Sequence, residues 1–130
     1  MIVDSSALIA ILRDEPEQEE LRAALEISQD SYISAGTLIE VRIMATSLGI
    51  LDELNALISE FEIRVVPVDE HQSSIAIAGF VNYGKGRHPA ALNFGDLFAY
   101  ALAKMRDEPL LFKGNDFAKT DVKRAIYESD

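Results

Sequence analysis

Short, nearly continuous apolar runs alternate along this chain with longer stretches in which apolar residues recur every three or four positions. This is the alternation of buried strands with amphipathic helices. Met1-Ile2-Val3 is the first short run, and it passes straight into an apolar helix carrying Leu8, Ile9, Ile11 and Leu12, with Asp4 at the joint and Ser5 or Ser6 placed to cap the helix. Arg13-Asp14-Glu15-Pro16 makes a break. Pro16 followed by Glu17, Glu19 and Glu20 suits the first turn of a second helix, whose inner face carries Leu21, Ala24, Leu25 and, at its end, Ile27. Tyr32-Ile33-Ser34 has strand residue types. The spacing then predicts a helix over Ala35 to Leu48, stopped by Gly49, whose Leu38, Ile39, Val41, Ile43, Ala45 and Leu48 wrap most of the circumference, so it is expected to be largely buried. Leu51 to Phe61 reads as another amphipathic helix, and Ile63 to Val68 as the strongest strand. Glu70 to Tyr83 follows as a helix with Ile75, Ala78, Gly79 and Val81 inward and small residues that permit a close neighbour. Leu97 to Met105 is apolar almost all round and predicts a core helix with Asp96 at its N-terminal end. Leu110-Leu111-Phe112 is a brief buried strand, Lys113 to Phe117 a turn, and a last short strand or extended piece around Asp121 to Val122 with a terminal helix fragment completes the order.

With 130 residues, 48% of them hydrophobic, this pattern fits one domain over residues 1–130 with a real core. The absence of cysteine excludes disulfides and thiolate metal sites, which leaves oxygen ligands, His71 and His88 for any metal. No apolar run approaches the roughly 20 residues needed to span a bilayer, and the first residues lack the basic flank of a signal peptide, so the expectation is a cytoplasmic protein without membrane association. The 22 acids against 12 bases, net −10, argue against holding nucleic acid by bulk attraction. Any such contact is local or metal-assisted, and the acidity equally suits solubility or a basic partner. Gly84-Lys85-Gly86-Arg87-His88-Pro89 is the one basic, flexible stretch. Its glycine spacing is not that of a phosphate-binding loop, so it reads either as an arm offering Lys85, Arg87 and His88 to phosphates or as a solvated turn.

Parallel strands with helices on both faces collect Asp4, Asp96 and Asp116 at their C-terminal edge, where open α/β sheets gather ligands and catalytic groups. Glu40 projects from the helix after the second strand. Alone, Asp4 reads equally as a helix cap, and Glu40 as a side chain reaching solvent or one in need of a partner, since Arg42 lies on a different helical face. Together they carry more. Two ionised carboxylates about 5 Å apart repel by about 3 kcal/mol at an effective dielectric of about 20, so four acids at one edge hold either protons or a cation. All-oxygen ligation suits Mg²⁺ or Mn²⁺, which activate water and offset charge in phosphodiester cleavage.

Asp4-Ser5-Ser6-Ala7 after the first strand, Glu40 in the third helix, Leu92-Asn93-Phe94-Gly95-Asp96 leading into an apolar helix, and Leu110-Leu111-Phe112-Lys113-Gly114-Asn115-Asp116-Phe117 stand in an order and spacing that span the chain. In these the whole chain resembles a PIN-domain ribonuclease of the VapC toxin type. The resemblance implies a single PIN domain over 1–130, a three-layer α/β/α fold on a central five-stranded parallel sheet, and a Mg²⁺- or Mn²⁺-dependent endoribonuclease. It also implies a homodimer, an RNA substrate and neutralisation by a VapB-like antitoxin. By position, Asp4, Glu40 and Asp96 match the metal-binding catalytic acids, Asp116 matches a more variable fourth, and Ser6 matches a hydroxyl residue supporting the first aspartate. Either residue of the Asn115–Asp116 pair can face the ion, with Asp116 preferred because asparagine is a frequent turn residue. The implied reaction is metal-assisted hydrolysis leaving a 3′-hydroxyl and a 5′-phosphate, with Lys85, Arg87 and Lys113 as candidate RNA contacts against the unfavourable net charge.

Two other classes remain to be weighed. A receiver-like Mg²⁺-binding signalling module would need a phosphoacceptor near Asp69, which Val66-Pro67-Val68-Asp69 offers only loosely. A non-catalytic PIN-like interaction module would have no evident use for four mutually repelling acids. A phosphatase of the haloacid dehalogenase type fails at once, because Ser6 stands where its second acid belongs.

Overall fold

In the computed structural model, which describes residues 1–126, the four strands β1 (Ile2–Val3), β2 (Tyr32–Ser34), β3 (Arg64–Val66) and β4 (Leu110–Leu111) pair in parallel in the order β3-β2-β1-β4. Six helices cover the two faces: α1 (Ser5–Leu12), α2 (Gln18–Ile27), α3 (Ala35–Leu48), α4 (Leu51–Glu60), α5 (Glu70–Tyr83) and α6 (Phe94–Arg106). Ile2 pairs with both Tyr32 and Leu110, and Val3 with Leu111. Successive strand residues point to opposite faces, so this register sorts the side chains into two cores. Val3, Ile33 and Leu111 join the core under α1 to α4, whereas Ile2, Tyr32 and Leu110 join the one under α6. The three-layer α/β/α arrangement follows from that sorting.

The sheet has four strands where five are expected. The candidate fifth, around Asp121 to Val122, supplies only a single parallel bridge between Leu110 and Arg124, with Leu110 N–H donating to the Lys123 carbonyl at 2.8 Å and Ala125 N–H to the Leu110 carbonyl at 3.0 Å. Val122 turns into the core instead of continuing the ladder. The expected terminal helix fragment falls largely on residues 127–130, outside those described, and residues 121–126 are not helical.

The helix expected to be largely buried, α3, has an outer face that is also apolar: Ile39 and Ile43 are 63% and 62% exposed, and Met44 and Leu48 are exposed with them. On α5, Val81 points outward rather than in, with Ile77 beside it, while Gly79 is buried against α6, where a Cβ would stand 2.5 Å from the Tyr100 ring. Ile27 ends α2 in solvent at 82% exposure. The α6 expectation holds, since Ala99 to Ala103 are all buried.

Leu102 on α6 is fully buried, so Leu102→Ala should lower the unfolding free energy by about 2–5 kcal/mol. The exposed Ile27→Ala should change it by no more than about 0.5 kcal/mol. Urea titration followed by circular dichroism measures both.

Candidate functional site

β1 is two residues long and ends where its last ladder bond is made, Asp4 N–H to the Leu111 carbonyl at 3.0 Å. Helix α1 begins at the very next residue, so Asp4, in extended geometry, is itself the N-cap, in place of Ser5 or Ser6. Its Oδ2 accepts the Ser6 N–H at 3.1 Å and the Ser6 hydroxyl at 2.6 Å. Its Oδ1 is buried and, among the described residues, has no hydrogen-bond partner. The cap therefore uses one oxygen of this carboxylate and leaves the other unbonded. Burial pushes this carboxyl up to about 6, the Ser6 bonds oppose the rise, and the charges of Asp96 and Glu40 add to it. Ser6 does a second job: its hydroxyl accepts the Lys113 N–H at 3.0 Å, which ties the turn after β4 to the start of α1.

Glu40, half-buried in the middle of α3, finds the partner its position demands on α1. The buried Ser5 hydroxyl donates to Oε1 at 2.8 Å. Its other oxygen lies against the α-carbon of Gly95, in the first turn of α6. Glu40 thus bridges the residue after Asp4 and the residue before Asp96. Asp96 is held by a reciprocal cap: Asn93 N–H donates to Asp96 Oδ2 at 3.0 Å, and Asp96 N–H donates to Asn93 Oδ1 at 3.0 Å. Burial raises the Asp96 pKa, the Asn93 bond opposes this, and Glu40 and Asp116 raise it further. Asp116 is exposed at the rim, where it opens the short 3₁₀ turn Phe117–Lys119 and its charge reaches Asp96. Asn115 beside it is also exposed.

Three of the four acids are therefore linked by contacts from chain-distant elements, and the fourth stands at the edge. Among the described residues, no three Asp, Glu or His side chains already surround one point at ligand distance. The donor set still fits a hard divalent ion. It is all oxygen, it includes a buried carboxylate oxygen with no partner, and Mg²⁺ keeps several waters and takes few carboxylates, so it needs no closed protein cage.

The candidate RNA contacts separate. Lys113 Nζ is engaged by Glu15 at 2.7 Å and Glu17 at 3.4 Å. Lys85 and Arg87 are exposed on a loop that closes on itself through the Gly84–Leu92 bridge, with Arg87 stacked 5.1 Å over the Phe80 ring and His88 edge-on to Tyr83. Asp69, the residue a receiver module would phosphorylate, is the N-cap of α5, its Oδ1 accepting the Gln72 N–H at 2.8 Å. Sequence reasoning missed Ser5, Asn93 and Gly95. Asn93-x-x-Asp96 carries a capping pattern that can be read, whereas nothing local marks Ser5 as the partner of a glutamate 35 positions away.

Residues 1–123 match the PIN domain family. The chain is 47% identical over 130 residues to Ribonuclease VapC28 of Mycobacterium tuberculosis, covering 97% of this chain and 98% of that one. It is 42% identical over 128 residues to Ribonuclease VapC of Mycolicibacterium smegmatis, covering 94% and 97%. Among solved structures, VapC20 of Mycobacterium tuberculosis, described as a sarcin-ricin loop cleaving toxin, shares the fold with a TM-score of 0.73 at 14% identity, over 93% of this chain and 95% of that one. A toxin-antitoxin complex from Klebsiella pneumoniae matches with a TM-score of 0.70 at 20% identity, over 92% of each chain.

Asp4 gives the site a pH signature. Its carboxyl rises from 3.8 to about 6 on folding, so the stability it contributes is complete below about pH 3.8 and lost as pH rises through about 6. Above that, the metal-free chain carries an ionised buried carboxylate. Asp4→Asn in EDTA should raise the unfolding free energy by about 1–3 kcal/mol near neutral pH and by almost nothing near pH 4. Urea titrations across that range test this, and a gain independent of pH would contradict the burial argument.

Proposed function

The chain belongs to the PIN-domain family, and from that membership we propose that it is a VapC-type endoribonuclease, the toxin of a toxin–antitoxin pair, acting as a single PIN unit over residues 1–130. The observation that carries the reading is the buried, half-satisfied carboxylate of Asp4 at the C-terminal edge of β1, beside Glu40 and Asp96. Asp4, Glu40 and Asp96 would hold Mg²⁺ or Mn²⁺, with Asp116 at the rim. Bound there, a divalent ion lowers the pKa of water and offsets the charge that develops on the phosphodiester.

This chain's residues supply the rest. Ser6 fixes Asp4 Oδ2 and leaves Oδ1 without a partner among the described residues, and the Asn93 cap fixes Asp96. With its pKa near 6, Asp4 is mostly ionised at neutral pH and ready to bind a cation. The oxygen added to phosphorus comes from water, the P–O3′ bond breaks, and the departing 3′ oxygen takes a proton, which leaves a 3′-hydroxyl and a 5′-phosphate. Lys85 and Arg87 steer the RNA backbone locally against the net charge of −10, and Lys113 joins them when it leaves Glu15.

The neutralising partner is a VapB-like antitoxin, and the acidity of this chain suits basic segments on it. The exposed apolar side chains of α3 and α5, Ile39, Ile43, Ile77 and Val81, are what a homodimer would cover. No helix among the described residues is long and apolar enough to cross a membrane, and an RNA substrate fits a cytoplasmic location.

Cleavage of RNA should require Mn²⁺ or Mg²⁺, stop in EDTA, and fall about a thousandfold in Asp4→Asn. Gel assays with end-labelled RNA read this, and cleavage indifferent to EDTA would defeat the proposal. In light scattering the wild type should run at twice 14.3 kDa, and the double variant Ile43→Glu with Ile77→Glu at the monomer mass. A monomeric wild type would remove the dimer from the reading.

A further inference from the structure

Glu40 reaches the site from the middle of a 14-residue helix on a long side chain with several rotatable bonds, so something outside α3 must select its conformation. Two contacts do this, one for each oxygen. Ser5, the first residue of α1, donates its hydroxyl to Oε1 at 2.8 Å. Oε2 occupies the space where a side chain at position 95 would begin: a Cβ there would overlap Oε2 outright and stand 2.6 Å from Cδ. At Gly36 and Gly79 the missing Cβ makes room for the rings of Phe98 and Tyr100, but at Gly95 it makes room for a carboxylate. The same short turn that locks Asp96 through Asn93 also cradles Glu40.

We infer that Gly95 and Ser5 are positioning residues for Glu40, the glycine acting as a socket and the serine as a clamp that together present its carboxylate beside Asp4 and Asp96. The inference rests on the metal-nuclease reading and adds residues to it that touch neither cation nor RNA. An alanine at 95 displaces the far end of a flexible side chain rather than backbone, so it moves Glu40 at little cost to the fold.

The test uses the full chain. In EDTA, Gly95→Ala should melt within a few degrees of wild type while the side-chain carboxyl ¹³C resonance of Glu40 shifts and that of Glu60, whose carboxylate pairs with Arg22, stays. Titrated with Mn²⁺ alone by calorimetry, Gly95→Ala should bind at least about tenfold more weakly than wild type, and Ser5→Ala several-fold more weakly. Should Gly95→Ala fail to fold, Ser5→Ala carries the same two measurements through the other oxygen. An unmoved Glu40 resonance, or a Mn²⁺ affinity within about twofold of wild type, overturns the positioning role. A wild-type chain that takes up no Mn²⁺ overturns the metal-nuclease reading and this role with it, an outcome separate from a variant that binds as well as wild type.

Discussion

The structure depends on where one carboxylate is forced to sit. Ile2 and Val3 are fully buried on opposite faces of the sheet, Ile2 paired on both sides and Val3 with Leu111, so β1 can neither slide nor rotate, and the next residue has no choice of position. Asp4 is therefore pinned at the sheet edge, in the interior, with one oxygen spent on starting α1. Through Ser6 the same residue anchors the turn that leads to Asp116, and through its neighbour Ser5 it lies next to the contact that holds Glu40. A strand of two residues thus sets the place of the other acids.

Helix dipoles ease the crowding of these acids without resolving it. Asp4 lies at the N-terminus of α1 and Asp96 in the first turn of α6, each worth about 0.3–1 kcal/mol to a carboxylate. Against that stands a repulsion of about 3 kcal/mol for each ionised pair near 5 Å. Burial is the larger effect still, which is why the raised pKa of Asp4 persists although it caps a helix and accepts two hydrogen bonds, and the charges of Asp96 and Glu40 only add to it.

Much of this was legible in the sequence where local pattern and chemistry coincide. The bounds of β2, α3 and α5 follow from residue type and stop signals alone, and the acids stand out because Asp4 and Asp96 sit where an apolar segment closes or opens and Glu40 sits inside an apolar helix. Burial was less legible. Helical periodicity reports that a face is apolar and says nothing of whether a neighbour covers it, so the outer residues Ile39, Ile43 and Val81 were indistinguishable from core. The fifth strand failed for a related reason: an extended segment becomes a strand only if its partner continues beside it, and Val122 leaves the ladder for the core. Ser5 and Gly95 were out of reach because their meaning lies in a side chain brought to them by tertiary packing.

The two oxygens of Asp4 are unequal: one starts a helix and the other is buried without a partner among the described residues. An asparagine there keeps an oxygen for the Ser6 N–H, so the helix still starts in the right place, while an uncharged amide replaces the buried oxygen that has no partner. A lineage can therefore trade away that one negative charge in a single mutational step while the start of the helix and the outer surface stay as they are.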